Sequence, residues 1–145
     1  MKIRTADLSD FPRIFELIKE FSDFQKTPEK VKITLEEMVE NASFIQALAL
    51  ENDSGEIVGF ASYFPSYHSW TGKAIYVDDL YIQPDYRQGG WGKSMLQLII
   101  EKAKSDNCSK VRWLVSSWNM PAINFYKALG AQLEEVDIVC DLNLD

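Results

Sequence analysis

The sequence predicts an α/β domain with one core, a central sheet flanked by helices. Two observations carry this. Segments with apolar residues every three or four positions alternate with short runs rich in β-branched and aromatic residues, in the order β, α, α, β, β, β, α, β, α, β. No repeat, low-complexity tract or Pro/Gly-rich linker divides the 145 residues, so 1–145 reads as a single domain. A chain of this length buries about 68–70% of the surface it exposes when unfolded, enough for one core.

Lys2-Ile-Arg-Thr-Ala6 is expected as a short strand. Asp7 then caps a helix whose apolar positions Leu8, Phe11, Ile14, Phe15, Ile18 and Phe21 keep helical spacing. Thr34-Leu-Glu-Glu37 is a capping box for a second short helix that stops near Asn41. Phe44–Glu51 and Glu56–Phe64 form a hairpin, because Asn52-Asp53-Ser54-Gly55 between them has the composition of a tight turn. Lys73–Ile82 is the next strand. A Gly-rich run follows Pro84-Asp85-Tyr86 and leads into a helix with Met95, Leu98, Ile99 and Ala103 on one face. Val111–Val115 is a strand, Pro121–Leu129 a helix closed by Gly130 in a left-handed turn, and Ala131 to Asp141 is expected to complete the sheet.

Composition narrows the function. Fifteen Lys plus Arg against 22 Asp plus Glu give a net charge of −7, which repels phosphate backbones and argues against nucleic acid as partner. The runs Phe44–Leu50 and Met95–Ile100 are far shorter than the ~20 residues of a membrane helix, and no basic-then-apolar leader opens the chain, so the expected address is the cytoplasm. Cys108 and Cys140 lie far apart, without a CxxC and with only His68 as companion. This suggests two buried thiols and no metal site.

The run Arg87-Gln88-Gly89-Gly90-Trp91-Gly92, between a strand and a helix, directs the free N–H groups and the dipole of the helix start at whatever sits in the turn. Glycines allow close approach, and Arg87 and Lys93 add positive charge, so a pyrophosphate suits it. The phosphate loop of ATPases is excluded because Arg87 stands where its first Gly is required, and the dinucleotide fingerprint because Met95 stands where Gly or Ala is needed. Further on, Asn119, Ala122 and Tyr126 share one helical face, beside an apolar stripe of Phe125 and Leu129.

These elements, with Asp78 and Asp79 on the preceding strand, resemble the GCN5-related N-acetyltransferase (GNAT) family over almost the whole chain, from Ile3-Arg4 through Ala131. Leu17-Ile18-Lys19-Glu20, Val58-Gly59-Phe60-Ala61-Ser62-Tyr63, Trp70-Thr71-Gly72-Lys73 and the run from Trp118 to Lys127 look like its diamine or spermidine/spermine branch, which acetylates polyamines or thialysine-like amino acids. The resemblance implies a mixed, mostly antiparallel sheet and a homodimer. It also implies acetyl-coenzyme A along the backbone of Leu80, Tyr81 and Ile82, its pyrophosphate on Gln88 to Lys93, and Asn119, Met120, Pro121 and Ala122 beside its arm. Tyr126 matches the family's general acid, while Asp78 replaces the Glu usual in the branch. Asp79, Gln25 and Trp70 fall among the positions facing the amine.

The chemistry fits these residue types. Deprotonating a primary amine of pKa ~10.4 at pH 7 costs ~4.6 kcal/mol, so a nearby carboxylate is useful, and a phenol can protonate the departing thiolate. Strand alternation is expected to turn Asp78 and Asp79 to opposite faces. Gln25, where the branch often has an acid, His68, where it often has Asp, and the end of the chain at Asp145, without a segment that helps close the site in the branch, widen the acceptor to short diamines or thialysine-like amines. Two other readings compete: an acetyltransferase of protein N-terminal or lysine amines, and a non-catalytic coenzyme A-binding regulatory module.

Overall fold

The computed structural model describes residues 1–144. The chain divides into two compact units, Met1–Trp113 and one beginning at Leu114. The first holds a five-stranded sheet of β1 (Lys2–Thr5), β2 (Gln46–Glu51), β3 (Ile57–His68), β4 (Gly72–Ile82) and β5 (Lys110–Arg112), with helices α1 (Phe11–Phe24), α2 (Leu35–Glu40) and α3 (Trp91–Ser105). Strand order follows the sequence. β1 to β4 are antiparallel neighbours, and β4 pairs β5 in parallel.

Local chemistry explains the boundaries. Asp7 and Asp10 form a capping box, but around a 3₁₀ turn at Leu8–Asp10 that feeds α1, so the helix proper starts later than expected. Thr34 and Glu37 make the expected box at the start of α2. The β2–β3 turn is held by Asn52, whose N–H donates to Glu56 O at 2.9 Å and whose side-chain oxygen accepts from the N–H groups of Ser54 and Glu56 at 3.0 Å.

α1 and α2 cover one face of the sheet through Phe11, Ile14, Leu17 and Met38, packed with Ala47, Ala49, Phe60 and Tyr81. α3 takes the other face. A Cβ placed on its Gly92 would lie 3.8 Å from the side chains of Leu80 and Ile82, which flank Tyr81 on the strand and therefore point away from it. Arg4 on β1 ties the α1 side together, donating to both Asp10 oxygens at 2.7 and 2.8 Å and to Glu51.

In the second unit α4 (Met120–Ala128) is capped by Asn119, whose side chain accepts from Ala122 N–H. It ends in a Schellman turn in which Gly130 (φ +90°) donates to Lys127 O and Ala131 to Tyr126 O. The buried position of α4 is Ile123, while Phe125 and Leu129 are half-buried. Three expectations are corrected. The strand expected at Val111–Val115 ends at Arg112, whose pairing with Tyr76 is the last between β4 and β5. Ala131 to Asp141 completes no sheet: none of the described residues 131–144 is in a strand. The thiols are not both buried, Cys108 being half-buried and Cys140 exposed.

Candidate active site

The parallel pairing of β4 and β5 covers only Ala74–Tyr76 against Lys110–Arg112, so past Tyr76 the β5 side of β4 has no ladder partner among the described residues. Backbone direction there follows from one bond. Gln83 N–H donates to Val58 on β3, so alternation turns the polar groups of Tyr81 to β3 and those of Leu80 and Ile82 to the open side. Of the three residues expected to pair with an extended ligand, Leu80 and Ile82 turn backbone groups to the open side.

The Gly-rich turn begins where this edge ends. α3 is capped by Gly90, in the left-handed region at φ +76°, with no side-chain cap. The helical ladder starts with Ser94 N–H on Gly90 O, so the N–H groups of Trp91, Gly92 and Lys93 precede it and have no intrahelical acceptor. A Cβ on Gly90 would meet nothing within 4 Å, so space borders the turn there, and one on Gly89 would strike the Trp91 indole. Uncapped amides, a left-handed glycine and Lys93 fit a pyrophosphate.

Arg87 sits differently from expectation. Its Nε donates to Ile82 O at 2.7 Å, and its guanidinium lies 5.0 Å from the Phe24 ring centre and 5.5 Å from that of Tyr81. It caps the last open-edge carbonyl and fastens the turn to the end of α1. Gln83 reinforces this link by donating to both oxygens of Glu20 at 3.2 and 3.0 Å.

The two aspartates also depart from expectation. Asp79 pairs Ser62 while Val77 pairs Tyr63, so Asp78 is the extra residue of a β-bulge. Tyr76 pairs Phe64, two residues from Ser62, so Tyr76 and Asp79 share a face, and Asp78, two residues from Tyr76, joins them. The bulge cancels the alternation. Burial pushes the Asp78 carboxyl above its ordinary value. It also pushes Asp79 up to about 6, with the charge of Asp78 adding to the effect. The Tyr76 phenol, raised mainly by burial, is raised further by Asp78 and Asp79 and opposed by Arg112, as a shared face requires.

The other candidates are less concentrated. Gln25 caps the end of α1 beside Phe24 and is half-buried. Trp70 is 97% exposed in the β3–β4 turn, separated from the acid pair by Gly72–Val77, roughly 20 Å at ~3.3 Å per residue. His68 ends β3, with Nε2 3.3 Å from Ser66 Oγ. In the second unit Asn119, Ala122 and Tyr126 are all half-buried, and burial raises the Tyr126 phenol above its ordinary value, which keeps it protonated at neutral pH. Sequence reasoning missed Tyr76, Glu20 and Ser62. The one visible signal was Ser62, a hydroxyl inside the apolar run Val58–Tyr63. Among the described residues no group of three or more His, Cys, Asp or Glu could hold a metal, and no helix is long and apolar enough to cross a membrane.

The chain is 35% identical over 142 residues to a thialysine N-epsilon-acetyltransferase of Mus musculus, covering 90% of this chain and 84% of that protein. It is 34% identical to a spermidine/spermine N(1)-acetyltransferase-like protein 1 of Homo sapiens, covering 90% of this chain but 20% of the larger protein. The crystal structure of an aminoglycoside acetyltransferase from an uncultured soil metagenomic sample superposes with a TM-score of 0.82 at 17% identity, over 99% of this chain and 96% of that one, and shows the same fold. The sequence profile of the Acetyltransferase (GNAT) family matches residues 11–131. With an open strand edge running into an uncapped glycine turn, and relatives this similar along most of its length, the chain belongs to the GNAT acetyltransferase family.

Proposed function

We propose that this acetyl-CoA-dependent N-acetyltransferase acts on a small molecule with a primary aliphatic amine, a short diamine, a polyamine or a thialysine-like amino acid. The observation that carries the reading is the bulge at Asp78, which sets two carboxylates on one face just before the open edge. A protonated amine is drawn to such a pair, and the relatives named for thialysine and for spermidine/spermine support the class.

Acetyl-CoA, when bound, supplies an activated acetyl thioester. Leu80 and Ile82 offer backbone groups to its extended arm, although Arg87 already occupies the Ile82 carbonyl. The first-turn amides of α3 and Lys93 would hold the pyrophosphate, with Gln88 to Trp91 shaping the turn, and the family resemblance assigns Asn119 and Ala122 to the same cofactor. Asp78 takes the amine proton, directly or through water. Asp79, raised to about 6, is still mostly ionised at neutral pH and adds its charge to the attraction for the amine. By the family resemblance Tyr126, its phenol raised by burial, would give a proton to the departing thiolate. A homodimer belongs to the same proposal, and light scattering of the purified protein decides it.

The test is a panel of free amines and a lysine peptide assayed for thiol release from acetyl-CoA. Diamines or thialysine-like amines should be turned over well and the peptide poorly. Fast acetylation of the peptide alone would transfer the protein to the class acting on protein amines. Tight binding of acetyl-CoA without thiol release from any acceptor would make it a regulatory module.

A further inference from the structure

We propose that Ser62 is a positioning residue whose hydroxyl holds the Asp78 bulge open and thereby keeps both carboxylates on the acceptor face. The inference rests on the amine-acetylating reading for its purpose, but its structural half stands apart from it. Ser62 is 2% exposed on β3, in a run otherwise made of Val58, Gly59, Phe60, Ala61 and Tyr63. A buried hydroxyl in such a run needs a partner, and it has one: Asp79 N–H donates to Ser62 Oγ at 3.2 Å.

The reason for that bond lies in the register. At the bulge Ser62 pairs Asp79 and the next residue of β3, Tyr63, pairs Val77, so Asp78 is left without a partner on β3. The longer strand then carries more backbone groups than its partner's backbone can satisfy, and the serine side chain supplies the missing acceptor on the β3 side. Without it, an even register from Tyr63 onward would recover the ladder. In that register Tyr76, Asp78, Leu80 and Ile82 would fall on one face, under α3, and Asp79 on the other with Tyr81, so the two carboxylates would part. One hydroxyl thus decides between a paired and a divided set of carboxylates. Engaged with the Asp79 backbone amide, the hydroxyl acts as a support for the pair.

The test uses the full chain with Ser62→Ala, which removes the acceptor, and the nearly isosteric pair Ser62→Thr and Ser62→Val, which differ by a hydroxyl against a methyl. Two readouts are taken: the exchange rate of the Asp79 amide by NMR in the protein alone, and kcat and KM for the best amine beside the dissociation constant for CoA by calorimetry. Removing the hydroxyl should speed Asp79 exchange at least tenfold and lower kcat about ten- to a hundredfold, the effect of an ångström-scale misplacement, with CoA affinity unchanged. Ser62→Thr should retain both properties and Ser62→Val should lose both. Unchanged Asp79 exchange in Ser62→Ala, parental kcat despite faster exchange, or equal damage from Thr and Val would each overturn the proposal. If the parent acetylates no amine, the functional reading fails on its own, and Asp79 exchange still decides whether Ser62 holds the bulge.

Discussion

β4 passes through two environments. From Ala74 to Tyr76 it is paired on both sides, with β3 and β5, and its inward residues Ala74 and Ile75 are 1% and 3% exposed. From Val77 to Ile82 it is paired with β3 alone, carries a bulge and two carboxylates, and runs into a turn whose amides have no intrahelical acceptor. The first half is optimised for stability. The second leaves backbone groups unsatisfied and raises carboxyl pKa values, both of which disfavour the folded state unless a ligand compensates. The proposed chemistry sits where the ladder is incomplete.

This contrast is broken most severely by damaging each half in turn. Ile75→Ala is expected to cost about 2–5 kcal/mol of stability, seen as a lower denaturant midpoint, with CoA affinity retained by the folded protein. Asp78→Asn should do the reverse, lowering kcat by about 10²–10⁴ with a melting temperature that holds or rises. If Asp78→Asn turned over at the parental rate, Asp78 would lose its role and water would remain as base.

A smaller effect sharpens the comparison through pH. Asp79 is raised from 3.8 to about 6 in the folded protein, so its contribution to stability is full below about 4 and is lost as pH rises through 6. Asp10 and Glu51, both lowered chiefly by hydrogen bonds from Arg4, act with the opposite sign: their contribution is present above the ordinary carboxylate range and lost as pH falls through and below it. Urea unfolding between pH 3 and 8 should therefore show Asp79→Asn gaining on the parent between about pH 4 and 6 and holding that gain above. A constant difference across that range would mean that Asp79 is not buried as described.

Next in size is Arg87→Lys, which keeps the charge but loses the Nε bond to Ile82 and the planar contact with Phe24 and Tyr81. Weaker binding of both acetyl-CoA and acetyl-pantetheine, which lacks the pyrophosphate, is expected if Arg87 fixes the edge. A loss confined to acetyl-CoA would return Arg87 to phosphate binding. Smallest is Gly92→Ala: ordinary contact at 3.8 Å awaits its Cβ, and helix propensity favours it by at most about 1 kcal/mol, so stability should hold while CoA affinity falls.

What the sequence revealed was local. The capping box at Thr34, the Asn52–Gly55 turn, the left-handed Gly130 and the glycine turn before α3 are each written in a few adjacent residues, and each is where the sequence puts it. The bulge escaped because register belongs to two strands at once, and Asp78 and Asp79 carry no mark of the residue opposite them. Arg87 reads as a phosphate ligand from its charge, which is visible in sequence, while its bond to Ile82 and its aromatic neighbour Phe24, on a distant helix, are visible only in the fold. The strand expected at Ala131–Asp141 failed for a related reason: apolar alternation states that a segment can pair, and supplies no partner.

The brevity of β5 has a further consequence, for how the protein behaves in a crowd. Strand edges recruit strands from other molecules when they are long, flat and apolar. This edge is three residues long and sets Lys110 and Arg112 on the same face, so a second molecule approaching edge to edge would meet two like charges and too short a ladder to hold. The same early end to pairing that leaves β4 open also keeps the β5 edge a poor template for aggregation.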